Sequence, residues 1–166
     1  MVGSYNALPL VALSVRQPWA WAIIHAGKPV ENRSWRKGNP GLKFRGLCCI
    51  HASQGMTRGE YEEAAEFMTS IGVTCPAAKD LQRGGIVGVT NIVDIVTELD
   101  SPWFFGPKGL ILKESRAVEF APSSGALGFF KWKRSGDGAS EPAKWMGAGA
   151  THEGDTATAN TQLDLL

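Results

Sequence analysis

The chain has 166 residues, of which 43% are apolar and 20% charged, and its formal net charge is +1. That length suits one domain with a core of its own, and the composition is ordinary for a soluble globular protein. No apolar run approaches the roughly 20 residues needed to cross a bilayer, and no basic segment followed by an apolar one marks a secretory signal, so a cytoplasmic protein without a membrane anchor is expected. The three cysteines, Cys48, Cys49 and Cys75, are odd in number and lack C-x-x-C spacing, which argues against a disulfide framework and a zinc site. No metal cluster and no cofactor motif is visible.

Residues 1–9 form a leader without a strong signal. Residues 10–15 are mostly apolar and predict a strand. Pro18 suits the first position of a helix, because its fixed φ fits there and its missing N–H is not needed. The run 19–26 is almost wholly apolar and predicts a helix buried on most sides, with Gly27 as its left-handed stop. After Gly27 the period changes to that of a short strand with one wet face. There Glu31 and Arg33, two apart, share a face, and Lys28 stands at the mouth. A carboxylate between two cations beside bulky aromatics suits a ligand cleft, and it suits a surface ion-pair ladder equally well.

Residues 35–46 are loop chemistry, in which Gly38, Pro40 and Gly41 break regular structure among interleaved basic and aromatic residues. The apolar run 47–52 predicts a buried strand, with Cys48 and Cys49 as small buried hydrophobes. The clearest amphipathic helix covers 57–71: Thr57 and Glu60 form a capping box, and Tyr61, Ala64, Ala65 and Met68 form the core stripe. Glu60, Glu62, Glu63 and Glu66 crowd its first half, where they complement the helix dipole as a solvated face.

A connection over 72–83 leads to a long β-branched stretch, 84–97, which predicts a central strand. An aromatic, turn-rich segment follows at 101–107, and 109–113, 117–120 and 127–132 read as three further short strands. Several strands with two helices suit an α+β fold, a small β-barrel of about five to six strands flanked by helices. The domain expected is 10–133. Beyond it, 134–166 is rich in glycine, alanine and threonine and has no periodicity, so a disordered acidic tail is expected; its final Leu-Asp-Leu-Leu could be a docking peptide for a protein partner, although short apolar tails are also common by chance.

Charge is unevenly spread. Residues 28–45 carry an excess of five positive charges and 134–166 an excess of three negative ones, which predicts a basic surface beside an acidic tail. Arg16, Lys28, Arg33, Arg36, Lys37, Lys43 and Arg45 could neutralise phosphates, while Trp19, Trp21, Trp35 or Phe44 could stack on an unpaired base. Equally, tryptophans of this kind serve as core and arginines as solubilising groups; for Trp21, inside the apolar helix, the core reading is favoured.

Several stretches together resemble a known family. Leu13, Ser14, Gln17, Pro18, Trp19 and Ala20 match L-S-x-x-Q-P-W-A, and Lys28, Glu31, Arg33, Ser34 and Trp35 match G-x-K-x-x-E-x-R-S-W, with Ala26 where glycine is usual. The Arg45-Gly46 pair leads into I-H-A-S at 50–53, followed by G-G-I-V-G-V-T-N-I-V-D at 84–94 and G-x-x-G-F-F-K-W at 125–132. This pattern resembles the ASCH (activating-signal-cointegrator homology) family of the PUA-like superfamily. The resemblance implies a small barrel with RNA, or a modified nucleoside, held in a crevice beside it, and DNA as a further possible ligand. The site residues it implies, joined to those above, are Arg16, Gln17, Trp19, Lys28, Glu31, Arg33, Trp35, Lys43, Arg45, His51 and Ser53. One branch of the family looks like an amidohydrolase of acylated cytidine that uses a lysine, a threonine and a glutamate. Lys28 matches the lysine, but Glu31 stands where the threonine would be, so that nucleophile is missing. Lys28 and Glu31 remain the catalytic candidates of a hydrolase or ribonuclease reading, with Glu31 as general base. A protein-interaction module in gene regulation is the third reading. His51 and Ser53 fall at the end of a barrel strand and are expected to hydrogen-bond backbone or ligand, since two such residues on one strand do not make a triad.

Overall fold

The computed structural model describes residues 7–136 and 141–147. It has six strands, β1 (Val11–Val15), β2 (Val30–Arg33), β3 (Gly46–Ala52), β4 (Gly85–Val96), β5 (Lys108–Pro122) and β6 (Phe129–Lys131), and two α-helices, α1 (Trp19–His25) and α2 (Arg58–Ser70). The strands form one sheet in the order β2-β5-β4-β3-β1-β6, curled into a half-barrel. The expected α+β class with a small barrel-like sheet and two main helices is what the structure has. All pairings are antiparallel except β1 with β3, which run parallel with Ser14 opposite His51.

Apolar residues cover both faces of the sheet. Leu13, Val15, Cys48, Ile50, Ile92, Leu110 and Leu112 pack on one face with Ala20 and Ile23 of α1. Ala12, Cys49, Ile86, Val89 and Ala121 pack on the other, with Leu8, Phe130 and Trp132. Both adjacent cysteines are therefore buried and free. Burial pushes the thiols of Cys48 and Cys75 up to about 12 and that of Cys49 up to about 11, so none is a ready nucleophile. Pro9, just before β1, accepts hydrogen bonds from Trp132 Nε1 and Cys49 Sγ.

α2 follows its sequence closely. Thr57 Oγ1 accepts from the Glu60 amide, Glu60 accepts from the Thr57 amide, and Tyr61, Ala64, Ala65 and Met68 are buried. α1 differs by one residue: Pro18 takes the N-cap position and Trp19 opens the helix. The Gln17 side chain, rather than a capping serine or threonine, accepts from the Trp21 amide at 2.9 Å. Gly27, at φ +69°, is the expected left-handed stop. Only Ala20, Ala22 and Ile23 of α1 are fully buried, Ala20 and Ile23 against the sheet, while Trp21 is half-buried and His25 exposed.

Two expectations are corrected. The stretches 109–113 and 117–120 belong to one strand, β5, with Glu114 at φ +54° between them. The polar Glu114-Ser115-Arg116 reads locally as a break, yet the pairing with β4 continues across a register shift, as a bulge allows. Within 134–166, residues 141–147 lie against the domain. Met146 is buried in a short 3-10 turn, Trp145 contacts Tyr61, and Arg83 donates to the Glu141 carbonyl at 3.0 Å. Trp145 and Met146 supply apolar area that an average over the tail's composition hides. Residues 1–6, 137–140 and 148–166, including the Leu-Asp-Leu-Leu peptide, lie outside the described residues. Among those described, no helix is long and apolar enough to cross a membrane.

Candidate functional site

A cleft of about 400 Å³ opens at the ends of β1 and β3, lined by Ser14, Arg16, Arg33, His51, Ser53, Gln54, Ser123 and the 125–128 segment. A second hollow of about 580 Å³, lined by Trp35, Asn39, Pro40, Gly41, Phe44 and Phe129, adjoins it and shares Arg33, Leu127 and Gly128. Both volumes lie in the range of small-molecule sites. Leu127, 98% exposed, stands in both walls.

Arg33 is placed by a short chain of charges. Lys28 is only 3% exposed and Glu31 8%. Lys28 Nζ donates to the Val30 carbonyl at 2.7 Å and to Glu31 Oε1 at 3.0 Å, and lies 5.5 Å from the Trp19 ring. Glu31 Oε2 holds Arg33 Nη2 at 3.2 Å, and the same nitrogen donates to the Ser14 carbonyl at 2.6 Å. The guanidinium lies 5.3 Å from the Trp35 ring, and its Nε–H is buried without an acceptor among the described residues. Lys28, Glu31 and Arg33 do come together as the spacing implies. Of the wet face expected of this strand, Glu31 is buried beside Lys28, which lies against the Trp19 ring, while Arg33 stays half-buried at the two hollows. Neither Lys28 nor Glu31 lines either of these two hollows, whereas Arg33 lines both. Buried charges of this kind are sustained by their pairing.

Arg16 reaches the cleft from the β1–α1 turn. Its guanidinium donates to Glu60 Oε1 at 2.6 Å and leaves the side chain 47% exposed. The hydrogen bond from Arg16, joined by the Thr57 amide, holds the Glu60 carboxyl below its ordinary range. One carboxylate thus caps α2 and steadies a cation at the cleft's rim.

His51 is buried, with Nε2 2.7 Å from the Ser123 carbonyl and Nδ1 3.2 Å from Ser14 Oγ. A carbonyl only accepts, so Nε2 carries the proton, and in the neutral ring Nδ1 accepts from the Ser14 hydroxyl. Burial lowers the His51 pKa from its ordinary value, against the smaller opposing effect of the Ser123 bond. Gly125 closes over this pair: a Cβ there would lie 2.8 Å from His51 Cε1 and 3.0 Å from Ser14 Oγ.

No family model matches this chain, and no curated protein matches it. Of the remaining expected residues, Ser53 lines the cleft and Trp35 the aromatic hollow. Gly41 lies so close to the Trp35 ring that a Cβ would come within 2.6 Å, and Phe44 stacks on Phe129 at 4.2 Å. Gln17 is buried, donates to the Gln82 carbonyl and caps α1. Trp19 packs with Phe67, Trp103 and Phe105. Lys43 is exposed, and Arg45 pairs at 3.7 Å with Asp94. These last four line neither hollow. Sequence reasoning passed over Ser14, Ser123 and Gly125 as site residues. Among the described residues, no group of three or more His, Cys, Asp or Glu could hold a metal ion.

Proposed function

We propose that this chain is an ASCH domain of the PUA-like superfamily that recognises single-stranded RNA or a modified nucleoside, with phosphate or sugar in the polar cleft and a base on the aromatic shelf. The observation that carries this reading is the place of Arg33, a fixed guanidinium shared by a cleft of hydroxyls and arginines and a hollow walled by Trp35, Phe44 and Phe129. Cation beside aromatic is the pairing that single-stranded nucleic acid uses, through phosphate neutralisation and sequence-tolerant stacking. Further support comes from convergence. Ser14, Arg33, Trp35, His51, Ser53, Gly125 and Gly128 come from separate motifs of the resemblance and line the two joined hollows. DNA offers the same phosphates and is the second ligand to try. A cytoplasmic setting belongs to this reading, since three free, buried thiols suit a reducing compartment.

The test is binding of end-labelled single-stranded RNA at two salt concentrations, with bound fraction and strand integrity read together. Intact RNA is expected to bind and to dissociate as salt rises. Arg16→Gln, at an exposed side chain, is expected to weaken binding and to reduce the salt slope by about 1. Absence of binding by the wild type to single-stranded RNA and to free modified nucleosides alike would overturn the reading. Cleaved strands from the wild type alone would replace recognition with nuclease activity.

A further inference from the structure

We propose that Ser14 is an acylatable nucleophile, with His51 as its base, for carboxylic esters that carry a carboxylate or phosphate group. The parallel pairing of β1 with β3 sets the two residues opposite each other. Ser14 Oγ lies 3.2 Å from Nδ1, and the far nitrogen is fixed at 2.7 Å on the Ser123 carbonyl. A nucleophile, a base and a third group that orients the base are the parts that activate a serine. Here a backbone carbonyl takes the orienting place. The ring is buried and holds its proton on Nε2, so Nδ1 is free to receive another. Ser14 itself lines the cleft, where a substrate can reach it.

The charges around the pair set the substrate class. Arg33 is tied at 2.6 Å to the carbonyl of Ser14, which places a fixed positive charge beside the nucleophile, and Arg16 lines the same cleft. Together they favour an anionic ester and the oxyanion that forms during attack. Gly125 keeps the segment after β5 in close contact with the pair, in a space that no Cβ fits without displacing His51 or Ser14.

In the first step Ser14 Oγ bonds to the ester carbonyl carbon while its proton passes to His51 Nδ1. The tetrahedral intermediate then expels the alcohol oxygen, which takes that proton, and leaves an acyl-serine. Water attacks the acyl carbon, gives a proton to Nδ1, and releases the carboxylic acid as Ser14 Oγ recovers its proton. Ester and water become acid and alcohol, and no further reactant is needed. A carbonyl dipole supports the imidazolium less than a carboxylate would, which slows both steps; with a leaving group as good as 4-nitrophenolate, acylation outpaces deacylation and the acyl-serine accumulates.

The test uses the full chain with 4-nitrophenyl acetate and with mono-4-nitrophenyl succinate, followed as 4-nitrophenol release and by mass spectrometry of the digested protein. The expected result is a burst of one equivalent, with the acyl group on Ser14 and about tenfold faster acylation by the anionic ester. Ser14→Ala and His51→Gln should each abolish the burst with their circular dichroism unchanged. If Ser14→Ala does not fold, Ser14→Cys supplies the readout, because it keeps a nucleophile and must acylate at position 14. Acylation confined to lysines, a burst that survives Ser14→Ala, or no acyl group at position 14 in either the wild type or Ser14→Cys would overturn the proposal. RNA binding does not enter this readout, so the two readings stand or fall separately.

Discussion

Lys28→Met is expected to lower the free energy of unfolding by about 3 kcal/mol, read from the midpoint of a chemical denaturation curve. The substitution keeps most of the side chain's length and apolar stem, so packing against Trp19 changes little. What it removes is the ammonium between the Val30 carbonyl and Glu31 Oε1. Both acceptors are then left in an almost water-free place, and Glu31 keeps only Arg33. Losing one partner of a buried pair costs more than the pair contributes over an apolar substitute, because the remaining charge stays desolvated. A catalytic lysine at the mouth of a cleft would behave in the opposite way, with little loss of stability. A change below about 0.5 kcal/mol, typical of surface substitutions, would return Lys28 to the surface and reopen its catalytic reading.

Gly88→Ala has the other large expected effect, a destabilisation of about 3 kcal/mol at the upper end of overpacking costs, measured by the same denaturation. A Cβ at position 88 would lie 2.3 Å from Ile24 Cδ1 and 2.6 Å from the Arg116 carbonyl oxygen. The isoleucine can turn away, but the carbonyl belongs to β5, so the β4–β5 ladder has to open. Gly88 is the point where α1 is let into the curled sheet, and α1 in turn sets the β1–α1 turn that carries Arg16. Adding Ile24→Ala should recover only part of the loss. Full recovery would show that side-chain crowding, rather than the strand backbone, makes this position glycine.

What could be read locally was read well. The capping box and the 3.6-residue stripe of α2 need no tertiary information, and the structure keeps both. The Lys28-Glu31-Arg33 grouping was also legible, since spacing alone puts Glu31 and Arg33 on one face. Its burial was not, because Trp19 and the core around Val30 reach it from other parts of the fold. β5 was divided at its polar middle because periodicity does not reveal a bulge bridged by a neighbouring strand.

The Ser14–His51 pair escaped for a similar reason. Its members are 37 residues apart and meet only through the parallel β1–β3 ladder, which no short-range pattern predicts. One signal was present: Ser14 and His51 are the only non-apolar side chains apart from cysteine in Val11–Val15 and in Leu47 to Ala52 respectively. A lone polar residue on each of two buried strands invites the question of what satisfies it. Similarly, Trp145 and Met146 are large apolar residues within a small-residue tail, and they mark the stretch that docks on α2.

On the proposed reading, a nucleic-acid ligand occupies the cleft at the ends of β1 and β3 together with the aromatic shelf. Titration of the ¹⁵N-labelled protein with a short single-stranded oligoribonucleotide, followed through its amide and tryptophan indole resonances, tests this most directly. The predicted result is saturable shifts at residues 14–16, 51–54 and 123–128 and at the Trp35 indole, with α1 unaffected. Shifts confined instead to the hollow around Trp21, His25 and Val118, or no shifts at all, would contradict it.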